Sequence, residues 1–284
     1  MHRSLRLFSL GVVALVLVGF SAAPASAVPP RPPGYLLAAA DGGVFAFGRA
    51  FHGSAAALHL RASVRAVAST PGGGGYWLVA ADGGVFAFGD ARFFGSMGGI
   101  SLNRPIEGIA STPDGGGYWL VAADGGVFAF GDARFFGSLS GADILAPVVG
   151  IATTNDGNGY WLATASGEAF AFGDALAPGA PPALQALYPR QYVGVARVAG
   201  TTRGIVLVTS DGTSVTFDAS AAGCQPISAI GVTMNVPAVG VGSSTAGCGE
   251  WLAGSDGGVF ALGAPFFGSA ATVKLAAPIV GIAG

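Results

Sequence analysis

Gly75-Tyr-Trp-Leu-Val-Ala-Ala-Asp-Gly-Gly-Val-Phe-Ala-Phe-Gly-Asp-Ala-Arg-Phe-Phe-Gly-Ser96 decides the architecture, because the same 22 letters return unchanged from Gly117 to Ser138. A cassette repeated this closely is a structural unit, and a chain of such units is a repeat fold. Tyr76 to Ala81 is a short apolar run rich in aromatics, and Val85 to Phe88 is a second. Both are too short for globular helices. Asp82-Gly83 between them is a hairpin signal, here expected as a type I′ turn. After the turn at Gly89-Asp90, Phe93-Phe94-Gly95 is expected to form a further short strand. The two longer runs are apolar at every position, so both strands are expected to be covered on both faces.

A strand also precedes each hairpin. Ile106-Glu107-Gly108-Ile109-Ala110 runs into Ser111-Thr112-Pro113-Asp114-Gly115, where Pro and Asp suit the centre of a type I turn. The unit is therefore strand A, turn, B, C and D, a four-stranded antiparallel blade of about 42 residues.

Working outward, the B strands begin at Tyr35, Tyr76, Tyr118, Tyr160, Ile205 and Glu250, with spacings of 41, 42, 42, 45 and 45. The expected fold is all-β: a single closed six-bladed β-propeller spanning 34–284. Read this way, the strands begin with a B strand at Gly34 and end with an A strand at 279–283. The C-terminal strand is therefore expected to supply the inner strand of blade one and leave no open edge. An open superhelix and a seven-bladed ring are the alternatives. Blades four and five drift: Ser166 replaces the hairpin Asp, and a Pro-containing stretch at 178–182 replaces Phe-Phe-Gly-Ser.

Residues 1–27 read as a secretory signal peptide, with a basic start at His2, Arg3 and Arg6, an apolar core, and Ala25-Ser26-Ala27 as the cleavage site. An uncleaved anchor is the alternative. Residues 28–33 are a short Pro-rich leader. The expected location is secreted, extracellular or cell-envelope. Two cysteines in an oxidising compartment, Cys224 and Cys248, are expected to pair, since their turns fall at one end of adjacent blades; free thiols are the alternative.

The chain carries 13 basic and 15 acidic residues, and no basic stripe, so nucleic-acid binding has no electrostatic support. No metal-ligand spacing, nucleophile elbow or phosphate loop occurs, so neither a metal nor a cofactor is expected. No further transmembrane segment is expected. Asp90, Asp132 and Asp174 recur after Phe-Gly; they read as turn caps, or as an alternative binding face. The Tyr-Trp pairs read as inter-blade core rather than a sugar platform.

The unit from Ile106 to Ser138 resembles the repeats of secreted actinobacterial proteins. More distantly it resembles repeats of the regulator-of-chromosome-condensation type, which include the secreted β-lactamase inhibitor protein II. The shared features are Val/Ile-x-x-Ala in strand A, the Asp-Gly hairpin, and Val-aromatic-x-aromatic-Gly. Phe88, Phe130 and Phe172 stand where those repeats usually carry Trp, and those relatives commonly have seven blades. The resemblance implies a protein-binding or ligand-binding ring with loops at one end as the contact surface.

The expectation for function is a monomeric, non-enzymatic binding propeller that contacts a protein or a cell-envelope glycan. The alternative is a secreted hydrolase or lyase with its site at the central channel mouth. Variable D-to-A connections on a rigid scaffold are where specificity is normally placed. They hold His59, Arg61, Arg104, Tyr188, Arg190 and Lys274, with Tyr188 and Arg190 as the expected anchors.

Overall fold

The computed structural model describes residues 34–178, 191–198, 201, 204–217, 234–244 and 249–284. Residues 1–33, Tyr188, Arg190, Cys224 and Cys248 lie outside them. Among the described residues there is no helix, and none long and apolar enough to cross a membrane.

The strands are β1 (Tyr35–Ala39), β2 (Val44–Phe47), β3 (Val64–Ser69), β4 (Gly75–Ala80), β5 (Val85–Gly89), β6 (Ile106–Ser111), β7 (Gly117–Ala122), β8 (Val127–Gly131) and β9 (Val148–Thr153). They continue as β10 (Gly159–Thr164), β11 (Ala169–Gly173), β12 (Tyr192–Arg197), β13 (Ile205–Thr209), β14 (Ser214–Phe217), β15 (Ala238–Ser243), β16 (Glu250–Gly254), β17 (Val259–Leu262) and β18 (Ile279–Ala283). They form six three-stranded antiparallel sheets. Five are sequential inner, middle and outer strands. The sixth is ordered β18-β1-β2, so the segment 279–283 pairs with β1, with Leu37 opposite Ile282.

Hydrophobic cores lie between sheets. The middle strand β4 is buried at every position because both of its faces meet neighbouring sheets. Its Trp77 and Val79, with Val85 of β5, pack with Ile106, Tyr118 and Leu120 of the following sheet. The outer strands are only half covered, contrary to the expectation for strand C; β5 is buried at Val85 and becomes exposed towards Gly89.

The expected fourth strand is absent from the ladders. Its segment runs instead as a strap pinned by side chains. Trp77 Nε1 donates to Arg92 O at 2.7 Å, and the Tyr118 hydroxyl of the next sheet accepts from Phe94 N at 3.2 Å and donates to Gly95 O at 2.5 Å. With the strap's polar groups held in this way, β5 remains an outer edge. Gly95 has φ of 134°, and a Cβ there would fall 2.6 Å from the Phe130 ring, so the strap admits only glycine at that point. The same latch recurs at Tyr76 on Gly53, Tyr160 on Gly137 and Tyr35 on Gly268.

The hairpins also differ from expectation. Gly83 N donates to Ala80 O, and Ala80 N to Gly84 O, both at 2.8 Å. The loop is therefore Ala81-Asp82-Gly83, a type I turn closed by a left-handed glycine, one residue longer than type I′. Asp82 Oδ1 accepts from Gly84 N at 3.0 Å and braces it. The A-to-B turn is as expected, with Gly115 N donating to Thr112 O at 3.1 Å.

Each inner strand is tied to the preceding sheet at its first residue. Ile106 N donates to Ala81 O, Val148 N to Ala123 O, Tyr192 N to Ala165 O, Ala238 N to Ser210 O, Ile279 N to Ser255 O and Val64 N to Ala40 O.

Candidate functional site

The inner strands position a pocket. In every one of them the second residue is an extra residue in the ladder: Arg65 in β3, Glu107 in β6, Val149 in β9, Val193 in β12, Val239 in β15 and Val280 in β18. A bulge leaves its residue unpaired and re-aims the side chain, and such bulges are concentrated beside binding sites. All six of these residues line one cavity of about 400 Å³ on the axis between the inner strands. The third position of each inner strand is Gly or Ala, which lets the backbones converge; a Cβ on Gly194 would already stand 3.3 Å from Gly240 Cα.

The lining is aliphatic apart from one charged pair on adjacent strands and Gln191 and Tyr192 where β12 begins. Arg65 Nη1 and Glu107 Oε2 are 4.0 Å apart, with the arginine side chain 42% and the glutamate side chain 25% exposed. That separation is beyond hydrogen-bond reach. Neither side chain makes a hydrogen bond among the described residues. Burial holds the Glu107 carboxyl above its ordinary range, while the Arg65 charge pulls the other way. Glu107 is the only carboxylate among the residues lining this cavity, so the cavity holds no paired acid and base. A second cavity follows along the axis, lined by the later residues of the same strands and by Arg197, whose guanidinium donates to Asn155 Oδ1.

His59, Arg61, Arg104 and Lys274 are all exposed on connections from outer to inner strands. Those connections share an end with the hairpins: Met97 N donates to Gly83 O at 3.0 Å, and Ala270 N to Gly257 O at 2.8 Å. The bulge ring lies near this end, at the start of the inner strands. Exposed Leu58, Ile100, Leu145 and Val273 stand on the same connections. The four cationic or imidazole side chains are spread over three connections, and none has an ion-pair or hydrogen-bond partner among the described residues.

Asp90, Asp132 and Asp174 do not converge. Each sits over the A-to-B turn of its own sheet, its backbone N–H donating to Gly74, Gly116 and Asn158 carbonyls respectively, each at 3.1 Å. Asp90 Oδ1 accepts from Thr70 Oγ1 at 2.8 Å. Asp132 faces Asp114, and Asp174 faces Asp156; burial and the facing carboxylate raise Asp132 and Asp174. The Asn158 side-chain and backbone N–H groups hold Asp156 down at about 2. Arg92 and Arg134 form no ion pair with them among the described residues. Trp77, Trp119 and Trp161 are fully buried with the neighbouring tyrosines, as inter-sheet core.

Sequence reasoning missed the bulge ring. The signal was there: the second residue of strand A is Val in four repeats and carries a charge in two.

These sheets, set about a common axis, define the class as a repeat β-propeller. No family model matches the chain, and no curated protein matches it. Among solved structures it is similar to the β-propeller domain of Myceliophteria thermophila Cps50 (Swd1), at 12% identity and a TM-score of 0.48, covering 68% of this chain and 63% of that one. The chain thus spans less than two thirds of that relative.

Proposed function

We propose that this is a secreted, non-enzymatic binding protein, a closed ring of six blades that receives a protein or cell-envelope glycan on its hairpin end. The observation that carries the reading is the coincidence at one end of the axial pocket and the connections bearing His59, Arg61, Arg104 and Lys274. Tyr188 and Arg190 belong to the same face in this reading. Closure is supported by the bond from each inner strand to the sheet before it, and by the β18–β1 ladder. The cassette's resemblance to regulator-of-chromosome-condensation repeats agrees with a binding role.

The domain reading is a signal peptide over 1–27, a leader over 28–33 and the propeller over 34–284. Cys224 pairs with Cys248, and the protein acts as a monomer without cofactor. Exported protein should begin at Val28 on N-terminal sequencing. Mass mapping without reductant should show no alkylatable thiol; two free thiols would refute the pairing.

The functional test is binding of the full chain to panels of cell-envelope glycans and envelope proteins. Two variants accompany it: His59→Ala/Arg61→Ala/Arg104→Ala/Lys274→Ala, and Tyr188→Ala/Arg190→Ala. Each should weaken the binding that the parent shows by more than about tenfold, with unchanged melting, since Tyr and Arg dominate contact energies. Undiminished binding by both would move the site to the Asp90, Asp132 and Asp174 end.

A further inference from the structure

The ring of bulge residues is a built pocket with a definite polarity. Four aliphatic walls, Val149, Val193, Val239 and Val280, face one cation and one anion set side by side on β3 and β6. Volumes of this order hold small molecules, and pockets of this kind are mostly apolar with a few polar groups that fix orientation. The two form a loose, partly exposed ion pair without a direct hydrogen bond, so both keep hydrogen-bonding capacity for a ligand. The Arg65 guanidinium and the Glu107 carboxylate line the same space.

The ligand that completes this site must be neutral overall and carry both signs close together. A phosphate or other polyanion would meet Arg65 but be repelled by Glu107. A simple ammonium would meet Glu107 but be repelled by Arg65. A sugar would find no exposed aromatic platform, since Tyr192 is buried, and only Gln191 as an uncharged polar side chain. A molecule with an ammonium and a carboxylate on one carbon, and a branched hydrocarbon on the same carbon, satisfies all six walls at once.

We propose that the axial pocket binds a free aliphatic α-amino acid, with its carboxylate on Arg65, its ammonium on Glu107 and its side chain among Val149, Val193, Val239 and Val280. This rests on the reading of the molecule as a binding propeller and names the ligand class of the pocket on its binding end. A peptide N-terminus shares the ammonium and the hydrocarbon but lacks the adjacent carboxylate, so the two sources can be told apart.

The experiment is isothermal titration of the full chain, dialysed free of amino acids, with L-leucine, glycine, N-acetyl-L-leucine and L-leucinamide. L-Leucine should bind with one-to-one stoichiometry. Glycine should bind at least about tenfold more weakly, since it leaves the apolar walls unfilled. N-Acetyl-L-leucine and L-leucinamide should each lose about tenfold or more, because each lacks one of the two charges that Arg65 and Glu107 would meet. Arg65→Gln and Glu107→Gln should lose L-leucine to a similar extent while melting as folded proteins. If either variant fails to fold, the four ligands decide alone. No L-leucine binding at about 1 mM overturns the proposal, as does binding of all four ligands within about threefold. Equal binding of L-leucine and L-leucinamide overturns it in favour of a peptide N-terminus. Docking on the connection face is read by its own variants, so failure here leaves that reading standing.

Discussion

Tyr118 is fully buried, yet its hydroxyl works on the strap of the preceding sheet, accepting from Phe94 N and donating to Gly95 O. Tyr118→Phe keeps the ring and removes both bonds. It should lower stability by about 1–2 kcal/mol, measured by denaturant titration, because the strap groups lose a partner. An unchanged midpoint would mean that the latch carries no stability. Glu107 gives a prediction of opposite kind. A carboxyl whose folded value is raised above its ordinary 4.5 stabilises most at low pH, and that contribution falls as pH rises through the raised value. Glu107→Gln has no such loss, so its melting temperature should gain on the parent as pH rises and match it under acid; Arg65 is the one charge facing it and reduces the gain. Asp156 runs the other way. Its value is depressed from 3.8 to about 2, so its contribution is complete above the ordinary value and fades as pH falls between the two. Asp156→Ala should therefore differ from the parent near neutrality and converge with it in that acid window. None of these roles follows from residue type alone. The tyrosines read as core from their apolar neighbours, whereas the hydroxyl's partner lies a repeat away. The legible clue was joint loss: where Phe-Phe-Gly gives way to a Pro-containing stretch after blade four, the next repeat begins with Ile205.

At the scale of elements, the cassette's alternation of short apolar runs and Gly-rich turns sets the strands closely, and β4 and β7 fall where the Tyr-Trp run places them. Strap and strand could not be told apart in the same way. Phe93-Phe94-Gly95 has strand-like composition, but Trp77 and Tyr118 compete for its polar groups and win. The bulges were equally hidden, since an extra residue leaves the apolar pattern of strand A nearly intact. The terminal pairing was readable from the count of A and B strands, and it makes a direct prediction. Deleting 278–284 removes β18 and uncovers one edge of β1 along Leu36 to Ala39. The deletion should lower the melting temperature by several degrees or more and increase dye binding to exposed apolar surface, because Ile279 and Ile282 leave a core shared with Trp251 and Tyr35. Melting identical to the parent would remove β18 from any structural role.

At the scale of the whole molecule, stability is shared among seams between sheets rather than held in one centre. Four seams carry a tyrosine latch, and two present Ile205 or Glu250 at that place. Glu250 is 4% exposed, and burial raises its carboxyl. Hydrogen exchange should therefore be faster in β12–β14, which lies between those two seams, than in β6–β8, which is latched on both sides. Equal protection would show that the latches do not set local stability.

The inner-strand bulge has one more consequence. Each repeat contributes a single bulge residue to the axial ring, and that residue takes no part in the ladder, although the four valines also pack against the cores between sheets. Exchanging Arg65 or Glu107 for valine rewrites one sector of the socket and leaves the scaffold's grammar alone, whereas a polar letter in place of a valine must also be accommodated by the seam it touches. Duplicated cassettes that drift at this one letter would yield a family of sockets of differing selectivity from a single inherited frame.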